Sequence, residues 1–188
     1  MNDQPIEEIA HDGLNYEEVV VGKQPETKKD FELFLSHCTK KETEQRKLVI
    51  AISEEIEKEQ KLPTFLDRKD IHSNPVNIVS NSLEASRILV PICTPDYIEE
   101  FKKNNNSWVS VELGTFIVWQ DNQSRDLIIP VLVDITRKEF ETQGRGIAAI
   151  TNKRSVEIPP EYITDKTIIK AKVNEIILIY QDYLKQWD

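Results

Sequence analysis

The chain has 188 residues, of which 39% are hydrophobic and 30% are charged, and these values are typical of one globular domain with a sizeable core. Its formal net charge of −9 argues against a nucleic-acid-binding protein, because binding to phosphates requires a basic face. The longest apolar runs, such as residues 127–133, are far too short to span a bilayer, and the acidic N-terminus lacks the basic and apolar regions of a signal peptide.

The first 29 residues differ in composition from the rest of the chain. They contain seven acidic residues and three lysines: Asp3, Glu7, Glu8, Asp12, Glu17, Glu18, Glu26, Lys23, Lys28 and Lys29. We interpret residues 1–29 as an acidic N-terminal extension, partly irregular, and residues 30–188 as one domain. For residues 19–21, a short edge strand and a disordered arm are equally compatible interpretations.

Strands and helices are predicted to alternate along the domain. Five short runs of β-forming residues are predicted as strands, at 31–35, 62–66, 88–92, 127–133 and 156–158. Helices are predicted from a capping box formed by Thr39 and Glu42 to about Ile56, from Pro75 after a Ser73 or Asn74 cap to about Leu83, from Pro95 to about Phe101, and at 108–120 and 169–187. Two further features qualify this pattern: Pro130 places the fourth strand near an edge or a bulge, and Gly144 with Gly146 indicates a loop.

This alternation predicts an α/β fold, in a flavodoxin-like three-layer arrangement whose mainly parallel sheet has the strand order 2-1-3-4-5. In such a sheet a ligand binds at the carboxyl ends of the strands where the order reverses, here between strands one and three. Ser36 and His37 follow strand one, and Cys93 and Thr94 follow strand three. We therefore expect these side chains to border a crevice, which the loop 67–72 overhangs.

Trp108 and Glu112 lie four residues apart near the start of the helix after that crevice, so both side chains share one helix face. Ser107 is predicted as the N-cap of this helix. Apolar residues on another face are expected in the core, namely Leu113, Phe116 and Ile117. Two interpretations remain for the pair: an anionic pocket against an aromatic wall, or a solvated carboxylate beside a half-buried indole. Because the predicted topology brings Glu112 to the crevice, the pocket interpretation is as well supported as the solvated-carboxylate interpretation.

Several chemistries are excluded by the sequence. The five glycines form neither G-x-G-x-x-G nor G-x-x-x-x-G-K, so the usual dinucleotide and P-loop cradles are excluded. Two cysteines, Cys38 and Cys93, suit a reducing compartment and argue against a disulfide framework or a four-ligand metal site, and the three histidines show no metal-ligand spacing. A thiolate pair of His37 and Cys38 is disfavoured, because adjacent residues at a strand end point to opposite sides. We therefore expect a cytoplasmic protein without a structural metal.

One carboxylate beside an aromatic side chain is the arrangement that remains. A lone carboxylate suits a reaction in which positive charge develops on a sugar. A C–N glycosidic bond to a cationic base breaks readily once the resulting oxocarbenium ion is stabilised, because the base leaves as a neutral molecule and needs no acid. Glu112 is the candidate residue for such a cleavage.

Four ordered segments resemble motifs of the TIR (Toll/interleukin-1 receptor) domain family, of the kind common in bacterial immunity. Residues 31–37 are similar to the first strand with its Ser-His ending, and residues 65–71 to the start of the BB loop. Residues 86–97 resemble the segment that runs through the third strand to a Ser/Thr-Pro turn and a tyrosine, and residues 107–113 match the Trp-x-x-x-Glu motif of enzymatic members. One departure is that residues 73–75 lack the Pro-Gly that usually follows the Ile of the BB loop.

The resemblance implies a flavodoxin-like fold and cleavage of NAD⁺ to nicotinamide and ADP-ribose, or to a cyclic or conjugated product. Carried over, Glu112 is the catalytic carboxylate that engages the nicotinamide ribose, and Trp108 shapes the pocket. The other substrate-binding residues would border the nucleotide: Ser36, His37, Asp67 and Arg68. NAD⁺ is the substrate in this interpretation, and the resemblance implies neither a cofactor nor a metal.

The resemblance also implies partners. Such domains are often active only when self-associated, because neighbouring copies complete the site. No effector domain is recognisable after the TIR region, so we expect a nucleotide signal to a separate effector protein, as in Thoeris-type anti-phage systems. Two alternatives remain: a non-enzymatic adaptor that binds other TIR domains, and an enzyme similar to nucleoside deoxyribosyltransferases. Glu112 favours the enzyme over the adaptor, since many adaptors lack this residue.

Overall fold

The computed structural model describes residues 29–38, 44–66, 75–103, 107–143 and 145–187. Within these ranges the strands are β1 (Phe31–Ser36), β2 (Thr64–Leu66), β3 (Ser86–Cys93), β4 (Val131–Val133) and β5 (Val156–Ile158). The helices are α1 (Glu44–Glu55), α2 (Pro75–Glu84), α3 (Pro95–Lys103), α4 (Trp108–Gln123), α5 (Arg137–Glu141), α6 (Arg145–Thr151) and α7 (Lys166–Lys185). A π-helical turn, Ile56–Gln60, follows α1, and a 3₁₀ turn, Pro160–Tyr162, precedes α7.

The strands form one sheet whose order and direction confirm the predicted fold. The order is β2-β1-β3-β4-β5, and each neighbouring pair is parallel. The direction in which the chain adds strands therefore reverses at β1, and the carboxyl ends of β1 and β3 lie side by side. Ser36, the last residue of β1, is in register with Pro91 of β3.

Both faces of the sheet are covered, because successive strand residues point to opposite faces. Leu33 and Leu35 of β1 belong to a buried cluster with the apolar stripes of α1 and α7. Phe34, between them, belongs to a second cluster with residues of α2, α3, α4, α5 and α6. The three-layer arrangement follows from this alternation, and it places α4 on the same face as Phe34.

Of two predictions about the second half of the domain, the one from Pro130 is confirmed and the one from Gly146 is wrong. β4 lies next to the edge strand β5, near the edge of the sheet as predicted. The structure tolerates Pro130 because its carbonyl oxygen accepts a bond from the Val156 amide at 2.9 Å, while β5 begins only at Val156, beyond the reach of the missing N–H. The loop predicted around Gly146 is part of α6, because Ile147 and Ile150 of that helix are buried in the second cluster and outweigh the low helix propensity of glycine.

Some predicted features lie outside the described residues. They are the extension up to residue 28, the caps at Thr39, Glu42, Ser73 and Asn74, the loop 67–72 and Gly144. The extension's last residue, Lys29, is described, and its Nζ donates to the carbonyl oxygen of Glu84 at 2.5 Å.

Gly114 lies in the interior of α4, and an added Cβ would meet no described atom within 4 Å. A glycine in a helix interior is less favourable than alanine because it loses more backbone freedom on folding. We therefore expect Gly114→Ala to raise the free energy of unfolding by about 0.5–1 kcal/mol, as measured by urea denaturation. A lower free energy of unfolding would show that another segment or molecule packs closely against this position.

Candidate active site

Ser36 is directed into the domain at the carboxyl end of β1. It lies two residues after Phe34 and therefore points to the same face of the sheet, toward α4. Its side chain is buried. The predicted position at the end of strand one is thus confirmed, and its partners come from α3 and α4.

Glu112 projects from the second turn of α4 toward Ser36. The Oγ of Ser107 accepts a bond from the Ser110 amide at 3.2 Å, which confirms the predicted N-cap and fixes the start of the helix. Glu112 is only 7% exposed, although a carboxylate is costly to remove from water. The Ser36 Oγ donates to Glu112 Oε2 at 2.5 Å, a hydrogen bond across 76 residues of sequence. The solvated-carboxylate interpretation is therefore wrong.

Tyr97 completes this group, and the sequence-based list of site residues omits it. α3 begins after Thr94, whose Oγ1 accepts a bond from the Tyr97 amide at 3.1 Å, and this places Tyr97 in the first turn above the end of β3. Its side chain is fully buried, and its hydroxyl lies 3.0 Å from the Ser36 Oγ. Burial, together with the nearby Cys93 and Glu112, raises the pKa of Tyr97 well above its usual value, so the phenol stays protonated.

Trp108 lies one turn before Glu112, and the two side chains share a helix face as predicted. Trp108 is 38% exposed, whereas Leu113 and Phe116 of the same helix are fully buried in the second cluster. Trp119, also in α4, is 2% exposed and stacks edge-on against Phe116 at a ring-centroid distance of 5.1 Å. An indole with this exposure leaves ring surface accessible to a ligand.

The remaining residues predicted near the crevice take different positions. His37 follows the last residue of β1 and is half-buried. Cys38 is also half-buried and packs against the second cluster, on the Ser36 side, while Cys93 at the end of β3 is fully buried. Burial raises the pKa of the Cys93 thiol, which therefore stays protonated and is a poor nucleophile.

Asp67 and Arg68 lie outside the described residues, so their contacts with a nucleotide stay predictions. Within the described ranges, no group of three His, Cys, Asp or Glu side chains is arranged to hold a metal ion. None of the helices in those ranges has the length and apolar character needed to cross a bilayer.

Local sequence patterns placed Ser36 and Glu112 at the same crevice but could not reveal their hydrogen bond. Tyr97 carried a signal, because it is the tyrosine that ends the segment similar to the family's third-strand motif. Its position after Thr94-Pro95 also placed it in a helix first turn over the crevice. The chemistry available here is electrostatic: one buried carboxylate, two hydroxyl groups and an accessible indole.

A family model described as TIR domain matches residues 33–157, a span that contains Ser36, Tyr97 and Glu112. No curated protein matches the chain.

Proposed function

The chain belongs to the TIR domain family, and on this premise we propose that it is an NAD⁺ nucleosidase. It would cleave NAD⁺ to nicotinamide and ADP-ribose, or to a cyclic or conjugated ADP-ribose product. The observation that carries the proposal is the Glu112 carboxylate, which is buried beside the carboxyl ends of β1 and β3 and bonded to Ser36. Glu112 also favours the enzyme over an adaptor, since the family resemblance implies that many adaptors lack this residue.

The proposed reaction breaks the bond between the nicotinamide nitrogen and C1′ of its ribose. The electron pair of that bond goes to the nitrogen, so nicotinamide leaves neutral and the ribose becomes an oxocarbenium ion. The Glu112 carboxylate stabilises this cation, and its burial strengthens the interaction because water screens it less. Water, or a hydroxyl or amine group for the cyclic and conjugated products, then forms a bond to C1′, and its proton passes to bulk water.

Trp108 would form one wall of the substrate pocket. Its exposed ring surface and its position one turn from Glu112 support this role. His37, Asp67 and Arg68 would border the rest of the nucleotide, as the family resemblance implies. NAD⁺ itself is the substrate, and the proposed reaction uses no further cofactor.

The biological part of the proposal concerns partners. Self-association through TIR surfaces would complete the site, and the nucleotide product would act on a separate effector protein in bacterial anti-phage defence. Location in the cytoplasm, expected from the cysteine content, stays a prediction.

We expect the purified chain to release nicotinamide from NAD⁺, most strongly at high protein concentration or with a crowding agent that promotes assembly. Liquid chromatography separates nicotinamide from NAD⁺, and mass spectrometry identifies the ADP-ribose product as hydrolysed, cyclic or conjugated. The concentration series is part of the design, because a site completed by neighbouring copies gives a rate that rises faster than protein concentration.

The same assay distinguishes the alternatives. No nicotinamide at any protein concentration, with or without crowding, would favour the adaptor. Turnover of deoxynucleosides in place of NAD⁺ would favour the deoxyribosyltransferase-like enzyme, which shares the topology and the carboxylate.

A further inference from the structure

We infer that Tyr97 and Ser36 are positioning residues, which hold the Glu112 carboxylate through a hydrogen-bond chain of fixed direction. The inference rests on the proposed function and assigns these two hydroxyl groups a role in the same reaction. It differs from the role that the family resemblance implies for Ser36, namely direct contact with the nucleotide. The three side chains come from β1, α3 and α4, so one chain of bonds joins three elements at the crevice.

The direction of the chain follows from counting protons. In the ionised form that the proposed reaction requires, the Glu112 carboxylate only accepts, so the single hydroxyl proton of Ser36 is donated to Glu112 Oε2. The bond between Ser36 and Tyr97 then requires Tyr97 as the donor, because Ser36 has no second proton. Donation therefore runs from Tyr97 to Ser36 to Glu112, and each bond polarises the next.

The burial of Ser36 and Tyr97 limits the role that this hydrogen-bond chain can have. Ser36 is 1% exposed and Tyr97 is fully buried. A chain that ends at a buried phenol with a raised pKa cannot pass a proton to solvent. It can only orient the groups that it joins, so the two hydroxyls serve Glu112 and do not act as a proton relay.

Orientation matters because a glutamate side chain has three rotatable bonds. A carboxylate that must meet a short-lived cation loses efficiency if it is held loosely, since the correct geometry must then be found during the reaction. Ser36 anchors Oε2, and Tyr97 fixes the rotamer of Ser36. Because in this positioning role neither hydroxyl contacts NAD⁺, their loss should reduce kcat and leave KM nearly unchanged.

The test is a double-mutant cycle on nicotinamide release. We expect Ser36→Ala to lower kcat by about tenfold to a hundredfold, as for loss of a hydrogen bond to a charged group. Tyr97→Phe should lower kcat by about twofold to tenfold, because it removes a neutral bond. In the Ser36→Ala background, Tyr97→Phe should change kcat by less than about twofold, because Tyr97 acts only through Ser36.

Matched controls are available in the same fold. Ser86→Ala removes a buried hydroxyl that donates to the Ser82 carbonyl oxygen at 2.6 Å, at the start of β3 and away from the crevice. Tyr183→Phe removes a buried phenol hydroxyl that lies 3.5 Å from the Ile128 carbonyl oxygen. Both variants should keep the kcat and KM of the parent chain, and near-UV circular dichroism checks that all variants are folded.

The outcomes separate this inference from the proposed function. If the two substitutions lower kcat independently, so that their effects multiply, the proposed hydrogen-bond chain is wrong, although the protein still cleaves NAD⁺. A rise in KM with unchanged kcat for folded Ser36→Ala would also overturn it, because Ser36 would then contact the nucleotide. If the parent chain and both controls release no nicotinamide under assembling conditions, the proposed function and this inference fail together.

Discussion

Glu112→Gln should lower nicotinamide release from NAD⁺ by at least about a hundredfold, because loss of one electrostatic stabiliser of a developing charge typically costs that much in kcat. The amide keeps the size and shape of the side chain but removes the negative charge that would face the ribose cation. It can still accept a hydrogen bond from the Ser36 Oγ, so the local packing should survive. The measurement is the initial rate of nicotinamide formation at saturating NAD⁺, for parent and variant at equal protein concentration.

Glu32→Gln is the matched control. Glu32 lies near the start of β1, at the opposite end of the strand from Ser36, and it bonds to Tyr180 at 2.6 Å and to Arg87 at 2.9 Å. Glu32→Gln also removes one negative charge, but it does so outside the crevice, so the rate of nicotinamide release per folded molecule should be unchanged. Full activity of Glu112→Gln would remove the electrostatic role from the mechanism.

Trp108→Ala should separate folding from product formation. Trp108 is 38% exposed, so its truncation should lower the free energy of unfolding by clearly less than the about 3–5 kcal/mol typical of a fully buried Trp. Nicotinamide release should fall by at least about tenfold, or the product should change, because a pocket wall that positions the substrate is lost. Urea denaturation measures the first effect, and chromatography with mass spectrometry measures the second.

Trp119→Ala provides the contrast within the same helix. Trp119 is 2% exposed and packs on Phe116, so its truncation should cost about 3–5 kcal/mol of unfolding free energy. Destabilisation of Trp108→Ala to the same extent would assign Trp108 to the core. A folded and fully active Trp108→Ala would show that the indole does not contribute to the site.

Much of the fold could be predicted because its determinants are local. Alternating runs of β-forming residues and helical stripes indicated the five strands and the helices between them, and rules for parallel sheets gave their order. Ser36 and Glu112 could be placed near one another for the same reason, since Ser36 lies at the end of a strand and Glu112 lies near the start of a helix. The end of a parallel sheet collects such residues wherever they occur in the chain.

The failures occurred where distant contacts outweigh local propensity. Gly146 suggested a loop, but burial of Ile147 and Ile150 against the sheet stabilises a helix there. Tyr97 was missed as a site residue because its link to Ser36 spans 61 residues, and no periodic pattern reports a bond of that kind.

A structure of the assembled protein with an NAD⁺ analogue whose ribose–nicotinamide bond cannot break would test the central claim most directly. We predict that a Glu112 carboxylate oxygen lies within about 3 Å of the ribose attached to nicotinamide, with the bond to Ser36 kept. Binding of that ribose away from Glu112, with the carboxylate still bonded to Ser36, would contradict the enzymatic role and leave the domain as a docking module.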